Sequence, residues 1–192
     1  MNEQPPTQTK TATQPNPAPE GYSSWNDYWT KAHNQPWRTE PEIDEERQRY
    51  LAKRRAVMPN IERGIYPFRD ENGGIKLTRA DVEWLLASHE DGRGPVDWED
   101  ENQRERQGMD LRGACLANSD LHGLPLAALQ GSLDFDTAPE GDDGSIDAAV
   151  VHLEQVNLQD AHLEHALLRR VDLSNADLRS SQLTGANLYG AT

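Results

Sequence analysis

From Met109 onward, leucine recurs at every fifth position. The register reads MDLRG, ACLAN, SDLHG, LPLAA and, after an interruption, VHLEQ, VNLQD, AHLEH, ALLRR, VDLSN, ADLRS, SQLTG, ANLYG. Leu111, Leu116, Leu121 and Leu126 are central in the first block, and every fifth residue from Leu153 to Leu188 is central in the second. A fixed short period marks a solenoid, in which each unit buries its apolar side only by stacking on its neighbours. Five matches neither the two-residue period of a strand nor the roughly 3.6-residue period of a helix, so neither element keeps every leucine on one side. A square coil does, with one unit per face and four faces per turn. The residue two places before each leucine also points inward. It is small at Ala114, Ala161, Ala166, Ala176 and Ala186, and nearly so at Ser119 and Ser181.

The pattern A-(D/N)-L-x-x resembles the pentapeptide-repeat family over about 60 residues of this chain. The resemblance implies a right-handed quadrilateral β-helix. The expected fold class is mostly β: a short β-helix of about three coils with a small α-helical N-terminal cap. Met109 to Ala128 would form one coil and Val151 to Gly190 two. Met109, Leu124, Val151, Val156 and Val171 exceed the usual small residue, and a 20-residue turn would stack Met109, Val151 and Val171 in one widened inner column.

The leucine spacing from 126 to 153 is not a multiple of five, so residues 129–150 are expected to loop out. This segment carries Asp134, Asp136, Glu140, Asp142, Asp143 and Asp147 with no Lys or Arg, a composition that favours disorder. Phe135 is its one candidate tether. Before the repeats, residues 1–20 read as a disordered Pro/Thr-rich tail and residues 21–107 as a helical segment holding all five tryptophans. Ser24 with Asp27, Thr39 with Glu42, and Thr78 with Asp81 are three helix-start signals. Each following apolar stripe is narrow, so these helices need something to lean on, and the aromatics are expected to supply that contact in a small helical cap ahead of the repeat domain (residues 108–192).

The net charge of −14 argues against direct nucleic-acid binding, which rests on basic side chains. The single cysteine, Cys115, excludes an internal disulfide framework and fits a reducing, cytoplasmic setting. No apolar run reaches membrane-spanning length. His152 and His162 fall two faces apart, and no carboxylate–histidine spacing is seen to repeat, so no metal site is expected. Cys115 has no evident base within its own coil. The sequence therefore predicts no catalytic, cofactor-binding or metal residues, no cofactor, and no enzyme.

What remains is a protein-interaction or scaffolding module of unknown partner. Arg169 and Arg170 with Tyr189 form its one basic–aromatic patch. The competing reading follows from the resemblance: an acidic DNA mimic that inhibits a DNA-binding enzyme such as DNA gyrase. Seven acidic and four basic residues in the repeats give a net charge of only −3. Three coils rise about 14 Å, a length over which duplex DNA carries about eight charges. The rod is too short and too weakly charged for the mimic. The last coil has no cap after it, so the expectation is a homodimer through the C-terminal coil, the alternative being that the chain is a piece of a longer repeat protein.

Overall fold

Each repeat contributes one corner and one bridging residue. At the corner, the central leucine's carbonyl accepts the N–H three residues on: Ala114 to Leu111 at 3.0 Å, Ala161 to Leu158 at 3.1 Å, Ala186 to Leu183 at 3.0 Å. The residue two after the leucine is left-handed, as at Gly113 (φ 79°), Asn118 (62°), Gln155 (59°) and Ser180 (60°). This is the geometry of a type II turn. Between corners, the residue before the leucine pairs in parallel with the rungs on either side. Asp110, Gln130, Leu167 and Asn187 make one face, Cys115 and His152 the next, Asp120, Asn157 and Asp177 the third, and Pro125, His162 and Gln182 the fourth. One bridging residue per face is too short for an extended strand, so the expected β content appears as single bridges. Regular strands among the described residues are only β1 (Arg69–Asp70) and β2 (Gly73–Gly74).

These coordinates come from a computed structural model that describes residues 18, 20–33, 36–137 and 143–192. The disordered tail expected over residues 1–20 lies almost wholly outside them. No helix among the described residues is long and apolar enough to cross a membrane.

The structure corrects the register at the interruption. Leu129, Gln130 and Gly131 belong to the coil: Leu129 is buried, and Gln130 bridges both Asp110 and Leu167. Gly131 takes the place of a central leucine. Its carbonyl accepts the N–H of Val151 at 2.7 Å, the bond that closes every other corner. Residues 132–150 thus replace a two-residue corner, and a unit without a central leucine lies hidden before them. The hidden unit shifts everything after it by one face. Met109 therefore does not stack with Val151 and Val171. The first shares its column with Leu129 and Ala166, whereas the valines follow Ala114.

The excursion is also more ordered than its composition suggests. It ends in a short helix, Asp143–Ala149 (α4 in chain order), whose Ile146 and Ala149 are buried with Tyr66 and Leu133. The Tyr66 hydroxyl donates to the Ser145 carbonyl at 2.9 Å. Its acidic stretch at residues 138–142 lies outside the described residues.

The N-terminal segment holds α1 (Trp25–His33), α2 (Glu45–Arg55) and α3 (Arg79–Ala87). The Ser24 and Thr78 signals operate as read: Ser24 Oγ accepts the Asp27 N–H, and Thr78 with Asp81 forms a complete capping box. Thr39 does not start a helix. Its N–H and hydroxyl donate instead to the Glu83 carboxylate at 3.0 and 3.1 Å, since that buried anion needs donors. Asp44 caps α2, its Oδ1 accepting from the Arg47 N–H at 2.8 Å. Trp29, Trp37, Leu51, Val82, Leu85 and Leu86 share one apolar cluster with the leucines of the repeats.

The segment closes the open edge of the first coil. Cys115 N–H donates to Ile75 and Leu77 N–H to Cys115, so residues 75–77 lie as an extra rung above that face. On the next face the Arg79 guanidinium supplies donors, reaching the carbonyls of Asp120 at 3.3 Å and His122 at 2.9 Å. At the far end the burial fades. The eight central leucines from Leu111 to Leu168 are buried, whereas Leu173, Leu178, Leu183 and Leu188 are only partly covered.

Candidate interaction surface

The inside of the rod is filled by leucine, alanine and valine, so its polar chemistry faces outward. Side chains of successive coils stack into rows, as where Asn157 Nδ2 donates to Asp120 at 3.0 Å and Gln159 Nε2 donates to Asp177. Two rows contain a spacing that the sequence reading passed over. His152-Leu153-Glu154 and His162-Leu163-Glu164 repeat the same triplet, and each imidazole Nδ1 lies against its own glutamate, at 3.3 and 3.1 Å. The pairs sit on opposite faces, as expected, and no group of three or more metal-capable side chains converges among the described residues.

Cys115 is half-buried, and the shifted register gives it neighbours that the sequence did not. Lys76 bridges it from above and His152 from below. A base thus stands one rung away, on the next coil.

The basic–aromatic patch is present but already engaged. Phe135, at the start of the excursion, meets the Tyr189 ring edge-on at 5.0 Å, and Arg169 lies 3.9 Å from the Phe135 centroid and 5.8 Å from that of Tyr189. Arg170 lies 3.3 Å from Asp147 in α4. The expected tether exists, and it occupies the patch.

A groove that the sequence did not signal encloses about 680 Å³. Trp29, Pro36 and Trp37 form one wall; His122, Asp160, His162 and Gln182, drawn from successive coils, form the other. Glu99 lines it too, on a loop held to the rod by Trp98 stacking on His165 at 4.2 Å. Arg79 lines the groove and donates to Glu83 at 2.8 Å, to Thr39 and Trp37 and to the two carbonyls above. The hydrogen bond that His162 donates to the Glu164 carboxylate holds the imidazole pKa above its usual range. Burial opposes this, and the fields of Glu164, Glu99 and Asp97 reinforce it. Only tertiary contact joins these residues, because the two walls lie 85 or more positions apart.

Comparison with known proteins places the repeats. The family model described as pentapeptide repeats matches residues 155–192 in eight copies. No curated protein matches the chain. Several solved structures resemble part of it, two of which are pentapeptide repeat proteins of cyanobacteria. One is the pentapeptide repeat protein Rfr23 from the cyanobacterium Cyanothece 51142, at 24% identity over 41% of this chain and 43% of that one, with a TM-score of 0.29. The other is HetL from Nostoc sp. strain PCC 7120, a pentapeptide repeat protein involved in heterocyst differentiation regulation, at 27% identity over 44% and 34%, with a TM-score of 0.25. The match spans less than half the length of either.

Proposed function

This chain is a pentapeptide-repeat protein by its C-terminal coils, and on that premise we propose that it is a protein-interaction or scaffolding module without catalytic activity. Pentapeptide repeats form right-handed β-helices and serve generally as non-enzymatic interaction modules. Here the rod is a quadrilateral of about three coils, closed at one end by the helical N-terminal segment. One observation carries the reading. The inward positions are packed solid from Leu111 to Val171, so chemistry is available only on the stacked outer rows. A surface of that kind binds by shape and charge.

The terminal coil adds a second contact in the same reading. Leu158 N–H donates to Asp177 and Leu163 N–H to Gln182, but among the described residues no further coil receives the N–H of Leu178 and Leu183. A second copy meeting this face covers both the backbone groups and the half-exposed leucines. Affinity capture with the full chain, followed by calorimetry with the purified protein recovered, tests the module. A saturable stoichiometric complex is expected. Failure of every purified candidate to bind counts against it. Light scattering across micromolar concentrations tests the pairing, and a monomer throughout rejects it.

A further inference from the structure

The triplet His-Leu-Glu occurs twice on the rod, and the two copies differ in their surroundings. The side chains of His152 and Glu154 are 41% and 28% exposed, those of His162 and Glu164 30% and 9%. Glu164 is thus a buried carboxylate. One oxygen accepts from His162 Nδ1 at 3.1 Å, and the other finds no donor among the described residues. Burying an anion with half its partners missing is costly, and a protonated imidazole beside it offsets that cost.

A loop of the N-terminal segment rests on the same stretch of rod. Trp98 stacks on His165, with centroids 4.2 Å apart and planes 26° apart, and the exposed Glu99 lines the groove together with His162. Behind this tip the loop is fixed. The Tyr28 hydroxyl donates to the buried Asp97 at 2.9 Å, and Arg106 donates to the Pro95 carbonyl at 2.9 Å. The charges acting on His162 are therefore mainly negative: Glu164 from its own repeat, Glu99 and Asp97 from the loop. The groove adds Asp160 and His122 from the rod and, from α3, Arg79, which is paired with Glu83; the wall of Trp29 and Trp37 adds no charge. With His162 protonated, a cation joins the carboxylates of rod and loop. With it neutral, Glu164 opposes Asp97 and Glu99 as like charges. We propose that Trp98 and Glu99 form a pH-sensitive clasp on the rod, seated while His162 carries a proton and lifting as the imidazole loses it. The His162 pKa is raised from the ordinary 6.5, so the attraction is fully present below that value and is lost as pH rises through the higher folded one. Lifting Glu99 opens the groove, so the clasp regulates the interaction surface. That use rests on the interaction-module reading, whereas the clasp itself does not.

Fluorine NMR of the full chain labelled with fluorotryptophan tests it. The Trp98 signal is assigned as the one lost in Trp98→Phe, and the His162 ring proton as the one lost in His162→Gln. From about pH 5.5 to 9, the range in which a raised histidine titrates, the Trp98 signal should move from its stacked to a free position. Its midpoint should coincide with that of His162 itself. Amide exchange at residues 98 and 99, corrected for the intrinsic rate, should be about fivefold faster or more above that midpoint than below it. Glu164→Gln should move both midpoints together to lower pH, by about half a pH unit or more. His162→Gln should hold the Trp98 signal at its free position throughout, and His152→Gln should leave the transition unchanged. Circular dichroism checks that each variant is folded, and Glu164→Gln decides the matter even if His162→Gln is not. A Trp98 transition that persists in His162→Gln belongs to the stacked His165 and overturns the proposal. So does a Trp98 signal that stays flat with pH, or a transition that Glu164→Gln fails to move.

Discussion

Gly131 stands where twelve other units place leucine, so substitution toward the repeat pattern ought to improve the fold if the pattern were the whole story. The structure says the opposite. A Cβ on Gly131 would lie 2.7 Å from Val151 Cγ1, 3.0 Å from Leu168 Cδ2 and 3.2 Å from the Leu167 carbonyl. Val151 and Leu168 are fully buried, so neither can swing away. Overpacking of a filled core costs about 1–3 kcal/mol. Replacing glycine by alanine returns about 0.4–1 kcal/mol through the unfolded chain. Gly131→Ala should therefore destabilise by about 1–2 kcal/mol. In urea, with a slope of about 1–3 kcal/mol/M, the midpoint should fall by roughly 0.5–1 M at unchanged slope. Adding Val151→Ala removes the closest methyl, so the double variant should be more stable than the two single losses sum to. A neutral or stabilising Gly131→Ala would refute the placement of Gly131 inside the coil.

Three further outcomes follow from burial and pairing. Leu163→Ala, at a fully buried centre, should cost about 2–5 kcal/mol by calorimetry, and Leu183→Ala, one coil further along the same face, no more than about half as much. Replacing residues 134–148 by a short Gly/Ser link should lose about 2–4 kcal/mol in urea melts, because it strips Ile146 from Tyr66 and Leu133. Arg47 makes two hydrogen bonds to Asp81, whose side chain is 2% exposed against 32% for the arginine. Burial works to raise the Asp81 pKa, yet Arg47 and Thr78 hold it below the usual range. That depressed value contributes stability above the ordinary carboxylate pKa near 4, and the contribution is lost as pH falls through the folded value. Arg47→Ala should thus cost about 2–3 kcal/mol at pH 7, a figure reduced for the exposed arginine, and progressively less toward pH 3. A cost independent of pH would show that the pair is not its source.

The repeat was legible because leucine at a fixed period admits one geometry, and the buried columns from Leu111 to Leu168 follow it. The left-handed corners could also have been read, since Gly113, Asn118, Gly123, Asn175, Gly185 and Gly190 recur two places after the leucine. The hidden unit was not legible. With Gly131 at its centre it carries no central leucine, and the bridges from Gln130 to Asp110 and Leu167 reveal it. That single omission displaced every neighbour across the excursion, including the stacking of Cys115 on His152. The excursion misled for a different reason: acidic composition outweighed the few apolar residues, Ile146 and Leu133, that fold it back. The capping signal at Thr39 lost to a tertiary demand, the buried Glu83 carboxylate. The groove left no local trace at all, because the two walls come from segments with no common period.

Every placement on the outer surface depends on the register across the excursion, and the lone cysteine offers a direct test of it. Cys115 bridges His152 in this structure, and neighbouring parallel rungs lie within disulfide reach. Ignoring the hidden unit would instead stack Cys115 on Asn157. Two variants, His152→Cys and Asn157→Cys, are oxidised mildly as monomers and their free thiols counted by alkylation and mass spectrometry. The account predicts that His152→Cys closes an internal disulfide and retains no free thiol, while Asn157→Cys keeps both. Closure by Asn157→Cys, with His152→Cys remaining reduced, would contradict it.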